Sequence, residues 1–174
     1  MHRFEARSES AHAASAAEAR FRIDAPNSRP RAIKIVALDR QSEGVVKRLA
    51  AQARFGNATF LTVPGGPVPS REPFSMAGWL GDLAGHTKDL LGELDGADQV
   101  VMIGTAGEPL DAASVIGEAC SLKRLTTTAL ILTPPATSDE ALSRSLAQLR
   151  PWSLMLVIAS EEEYIADMLT ALRA

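Results

Sequence analysis

From residue 32 onward, short apolar runs alternate with stretches whose apolar residues recur at helical spacing, and the alternation repeats five times. Ile33-Lys34-Ile35-Val36-Ala37-Leu38 reads as a first strand, and Val45, Val46, Leu49, Ala50 and Ala53 as one face of a helix that Gly56 would stop. Residues 58–63, 99–104, 126–133 and 153–159 read as four further strands. Helices are expected over residues 111–122, after a Ser138 cap, and from a Ser160-Glu161-Glu162-Glu163 capping box to Leu172. Leu80, Leu83, Thr87, Leu90 or Leu91, and Leu94 suggest one more helix, although Gly78, Gly81, Gly85 and Gly92 each cost a helix about 1 kcal/mol. Strands alternating with helices predict an α/β fold: a three-layer α/β/α, Rossmann-like domain on a mostly parallel five-stranded sheet in a doubly wound order.

Right-handed crossovers bring the carboxyl ends of such strands to one edge, so residues 39–42, 64–66, 104–111, 133–135 and Ser160 should converge. The candidate ligand-binding residues are therefore Asp39, Ser42, Gly104, Thr105, Gly107, Glu108, Asp111, Thr133 and Ser160. Their hydroxyls and the helix amides beside them suit a small anion or polar metabolite, although helix capping is the commoner role of the same residue types. Between Pro64 and Pro73, four prolines and two glycines forbid regular structure. With Phe74, Met76 and Trp79 following, that loop is a candidate partner-binding patch.

Composition narrows the function. The 174 residues are 46% hydrophobic, enough for one domain with a real core. Residues 31–174 are expected to form that single domain, and residues 1–30, rich in Ala, Ser, Arg and Glu, an N-terminal arm that is either a polar tail or a partner-docked helix over residues 11–20. The arm's acids, Glu5, Glu9, Glu18 and Asp24, argue against an organellar presequence. Eighteen basic and 21 acidic residues leave a net charge of −3, which provides no field for nucleic acid or an anionic membrane. One cysteine, Cys120, forbids an internal disulfide and fits a reducing compartment, so a cytoplasmic location is expected.

Most familiar chemistries lack their parts. His2, His12 and His86 have no second ligand at metal spacing, and Cys120 sits mid-helix, where packing suits it better than nucleophilic attack. Ser-based acyl transfer would want G-x-S-x-G, and a classical dinucleotide site G-x-G-x-x-G after the first strand. Leu38-Asp39-Arg40-Gln41-Ser42-Glu43-Gly44 offers a single glycine. A phosphoacceptor receiver domain would carry an aspartate where the third strand ends in Gly104-Thr105. No cofactor, no metal and no catalytic residue is expected.

One run of residues nevertheless has a familiar order. Leu94-Asp95-Gly96-Ala97-Asp98, the apolar Val100-Val101-Met102-Ile103, Thr105-Ala106-Gly107 and then Ala112-Ala113-Ser114-Val115-Ile116-Gly117-Glu118 resemble the nucleotide-binding half of the FtsZ family, the bacterial tubulin-like GTPases. The resemblance covers about residues 32–133. It implies an α/β nucleotide-binding scaffold, but each diagnostic loop departs from the family. The glycine cluster after the first strand is replaced by Asp39-Arg40-Gln41-Ser42-Glu43-Gly44, and GGGTGTG by Glu108-Pro109-Leu110-Asp111. Pro109 lacks an N–H, and Glu108 and Asp111 put negative charge where phosphates would lie. The family's central helix, water-activating acids and second domain have no counterpart in these residues, so assembly-driven hydrolysis is not expected. The reading is a degenerate FtsZ-like, Rossmann-like scaffold acting as a non-catalytic interaction or regulatory protein, a homo-oligomer or bound to a protein partner. The alternative is a small-ligand or nucleotide-binding protein, enzymatic or not, that uses the strand-end crevice through Asp39, Thr105, Glu108 and Thr133.

Overall fold

A computed structural model describes residues 31–63 and 79–174 of the chain. The expected arm, the Pro64–Pro73 loop, Phe74 and Met76 lie outside those residues. In chain order the elements are β1 (Ile33–Ala37), α1 (Arg40–Ala50), β2 (Ala58–Thr62), β3 (Leu80–Asp82), β4 (Thr87–Lys88), α2 (Leu90–Leu94), β5 (Gln99–Thr105), α3 (Ala112–Lys123), β6 (Thr126–Leu132), α4 (Asp139–Leu149), a 3₁₀ turn (Arg150–Trp152), β7 (Met155–Ala159) and α5 (Glu162–Leu172). One sheet runs β4-β3-β2-β1-β5-β6-β7. The five strands read from the sequence pair in parallel, and β3 and β4 add an antiparallel hairpin at one edge. The α/β/α expectation therefore holds, with seven strands among the described residues in place of five.

The hairpin replaces the helix expected across Leu80 to Leu94, of which only Leu90–Leu94 is helical. Local chemistry explains the change. Gly85 adopts φ +86°, a left-handed value that breaks a helix at no cost to glycine. Asp82 completes the turn: its Oδ1 accepts from the Ala84 and His86 amides, each at 2.9 Å, and its backbone exchanges hydrogen bonds with Gly85 and His86. The His86 amide, with help from the ring beside it, holds the Asp82 carboxyl below its ordinary pKa. Gly81 has no room for more, since a Cβ there would lie 3.0 Å from Thr62 Oγ1 on β2.

Two apolar layers cover the sheet. On one face Val45, Val46 and Leu49 of α1 and Ile165, Ala166 and Leu169 of α5 pack on Ile33, Ile35, Val101, Ile103 and Leu130. On the other, α2, α3 and α4 pack on Val36, Val100, Met102, Ala129 and Ile131. Side chains alternate between faces along each strand, so β5, covered on both sides, is buried at every position. Trp79 is half-buried and packs against the second of these clusters, which gives it a role in the core. Cys120 is buried in that layer, and burial pushes its thiol up to about 12.

Some sequence-level details shift. Helix α1 ends at Ala50 with Ala51 as its C-cap, several residues before Gly56. The N-cap of α5 is Glu161 and makes no side-chain capping bond, so the Ser160 capping box does not form. Ser138 does cap α4, accepting from the Ala141 amide. No helix among the described residues is long and apolar enough to cross a membrane.

Candidate functional site

Among the parallel strands the order is second, first, third, fourth, fifth, so the chain reverses direction between β1 and β5. Crevices of doubly wound sheets open at that point, outside the carboxyl ends of the two strands. Here the crevice is occupied by the side chain of Asp39, the residue between β1 and α1. Its Oδ1 accepts from the backbone N–H of Gln41 at 2.8 Å and of Ser42 at 2.9 Å, the first free amides of α1. The same oxygen accepts from Thr105 Oγ1 at 3.0 Å, and Oδ2 accepts from the Thr105 amide at 2.7 Å. Ser42, fully buried, answers from N3 of the helix: its hydroxyl accepts from the Asp39 N–H at 3.1 Å. Asp39 is thus both the N-cap of a helix and a clamp between two strand ends.

Helix N-terminal amides next to a strand-end amide are the donors that a phosphate uses in such folds. In this chain an internal carboxylate takes them. Aspartate does this because its short side chain reaches its own following amides from extended backbone, here φ −141° and ψ 171°. The negative charge also opposes the positive end of the α1 dipole.

The loop after β5 is filled in the same way. Thr105-Ala106-Gly107-Glu108 closes a turn, with the Glu108 amide on the Thr105 carbonyl at 3.1 Å and Gly107 at φ +90°. The Gly107 N–H is donated to Ser145 Oγ of α4 at 3.0 Å. Leu110, 1% exposed, folds back so that its Cδ2 lies 2.7 Å from where a Cβ on Gly104 would be. The space a glycine-rich loop leaves for a ligand holds a leucine side chain. Across the mouth, Gln41 Nε2 donates to Glu108 Oε1 at 3.0 Å and joins the two loops. Every buried side-chain nitrogen and oxygen among the described residues has a partner.

The structure separates the nine candidates. Asp39, Ser42 and Thr105 form the clamp, and Gly104 lies beneath Leu110. Thr105, Thr133 and Ser160 share an open cleft of about 550 Å³ with Gln41 and Arg48. Thr133 is tied down there, its amide on the Ala159 carbonyl at 3.0 Å. Gly107 and Glu108 border a second cleft of about 450 Å³ against Arg144 and Ser145 of α4. Asp111 stands exposed at the start of α3, makes no side-chain capping bond and lines neither cleft. Gln41, Arg48, Leu110 and Ser145 belong to this region without any signal in the sequence. Arg48 reaches it from the outer turn of α1 and is held by Glu162 of α5, Nε to Oε1 at 2.8 Å, a pairing 114 positions apart in the chain. No cluster of three or more potential metal-ligating side chains occurs among the described residues. No protein-family model matches the chain, and no curated protein matches it.

Proposed function

We propose that this chain is a non-catalytic interaction or regulatory protein, built on a nucleotide-type α/β scaffold whose phosphate position is held by its own Asp39. The observation that carries the reading is the carboxylate at 2.7–3.0 Å from the amides of Gln41, Ser42 and Thr105 and from the Thr105 hydroxyl. A phosphate at this point would have to displace a covalently attached anion that is present at very high effective concentration. It would also meet Glu108 at the mouth and Pro109 with no N–H to give. Descent from an FtsZ-like ancestor accords with this reading, which does not require it. Self-assembly or a protein partner in the cytoplasm would then supply the function.

Titration calorimetry with magnesium GTP and magnesium ATP tests it. The expected result is no saturable heat up to about 1 mM nucleotide, an affinity weaker than about 4 kcal/mol. Magnesium-dependent micromolar binding with turnover would overturn the proposal.

The cleft of about 550 Å³ supports a second reading, since its size falls in the range of small-ligand sites and Arg48 stands beside Thr105, Thr133 and Ser160. Arg48 is, however, already engaged by Glu162. Mass spectrometry of protein denatured straight after purification separates the two readings. The interaction reading expects no stoichiometric small molecule, whereas a polar metabolite at one per chain would favour the cleft.

A further inference from the structure

We infer that two copies of this chain associate through β7, whose outer edge pairs antiparallel with the same edge of a second copy. The inference rests on the interaction reading above and gives it a surface.

The two edges of the sheet differ in kind. At one, β4 is two residues long, Thr87–Lys88, and ends in a lysine followed by Asp89, features that discourage pairing with another chain. At the other, β7 is Met155-Leu156-Val157-Ile158-Ala159, with no charge, proline or glycine, and among the described residues its only strand neighbour is β6. Such an edge leaves a row of backbone groups ready for a further strand. Its side chains are apolar as well. Leu154 is 82% exposed and Ile158 49% exposed, and both lie on the face of the strand where Leu156 meets the core.

The flanking charges select the occupant. Exposed Arg150 precedes the strand, and exposed Glu161 and Glu163 follow it. A second copy running antiparallel brings the basic end of each strand to the acidic end of the other, so the edge is complementary to itself about a two-fold axis. Parallel pairing would set like charges side by side. The register that matches apolar to apolar places Leu156 opposite Leu156 and Leu154 opposite Ile158, with Arg150 near Glu161 and Glu162 of the second copy. The result is one sheet continuous through both copies.

Light scattering on the full chain reads the association directly. The expected mass is twice 18.5 kDa at about 100 μM, and Ile158→Lys should return it to the single-chain value with unchanged circular dichroism. If Ile158→Lys unfolds the chain, Leu154→Lys, at a more exposed site, serves in its place. A single-chain mass for the unaltered protein, or a dimer indifferent to a folded lysine variant, overturns the inference.

Cysteine cross-linking reads the register. Opposed residues in antiparallel strands lie about 4.5–5.5 Å apart between Cα atoms, within reach of a disulfide. The double variant Leu154→Cys, Ile158→Cys should therefore cross-link between chains under mild oxidation, and Ile158→Cys alone should not. The reverse pattern overturns the register. Nucleotide calorimetry decides the interaction reading separately, so failure of one is distinguishable from failure of the other.

Discussion

Replacing Asp39 with alanine lowers the melting temperature by about 6–12 °C, the shift that about 3 kcal/mol produces in a chain of this size. Two losses add. The amides of Gln41 and Ser42 lose their cap, which costs about 1 kcal/mol. The Thr105 amide, on a residue only 2% exposed, loses its acceptor, and leaving a buried donor unpaired costs about 1–3 kcal/mol. Asp39→Asn keeps one oxygen for the cap but turns an amide nitrogen, a donor, toward the Thr105 N–H, so it should lose at least half as much. Inorganic phosphate or sulfate should then raise the melting temperature of Asp39→Ala more than that of the unaltered protein, because the emptied amides can accept a free anion. Thermal unfolding followed by circular dichroism, with and without phosphate, checks both statements. A shift under about 2 °C would mean that the clamp contributes little, and equal phosphate effects in the two proteins would remove the argument that Asp39 stands in for one.

The second large effect lies where α3 meets the 3₁₀ turn, far from the crevice. A Cβ added at Gly117 would lie 2.6 Å from Cβ of Trp152 and 2.7 and 2.9 Å from its ring atoms Cε3 and Cδ2, closer than real Cβ contacts occur. The nearest of these atoms is the stem of the side chain, fixed to the Arg150–Trp152 turn, so no rotation at the far end can relieve the contact. The helix or the turn must move. Gly117→Ala is expected to cost about 2–3 kcal/mol, net of the small gain alanine brings to a helix interior. Trp152→Ala costs about 3 kcal/mol through lost burial. The double variant should be more stable than the sum of the single losses, by about 1–2 kcal/mol, because truncating the indole removes part of the clash. Urea unfolding of the four proteins measures the cycle. Strict additivity would show that the close packing of Gly117 on Trp152 is not what makes glycine necessary.

Gly104 provides the contrast. A Cβ there would meet Leu110 Cδ2 at 2.7 Å, but that atom is the end of a flexible side chain. Leu110 can turn away, and the same substitution is tolerated better than at Gly117.

The five parallel strands were readable because each is a local apolar run, and the observed ends fall within two residues of the expected ones. The hairpin was not. Leu80, Leu83, Thr87, Leu90 and Leu94 repeat as a helix does, and only the backbone of Gly85 and the turn around Asp82 decide against it. Trp152 precedes the last strand in the chain, and its partner Gly117, 35 positions away, carries no mark in the sequence beyond being a glycine in a helix. Asp39 read as a cap more readily than as a ligand residue. Its geometry in the fold is that of a cap that also reaches Thr105, 66 positions on.

The chain by itself determined the class of fold, the alternation of strand and helix and the edge of the sheet where a site would lie, because periodicity and turn chemistry act over a few neighbouring residues. Tertiary structure alone decided that β1 lies beside β5, that the Thr105 amide points at Asp39, that Leu110 covers Gly104 and that β7 is an outer edge of the sheet among the described residues. Each of these depends on which distant segments become neighbours. That is settled by burying both faces of the sheet at once, a condition on the whole chain that no short window of sequence contains.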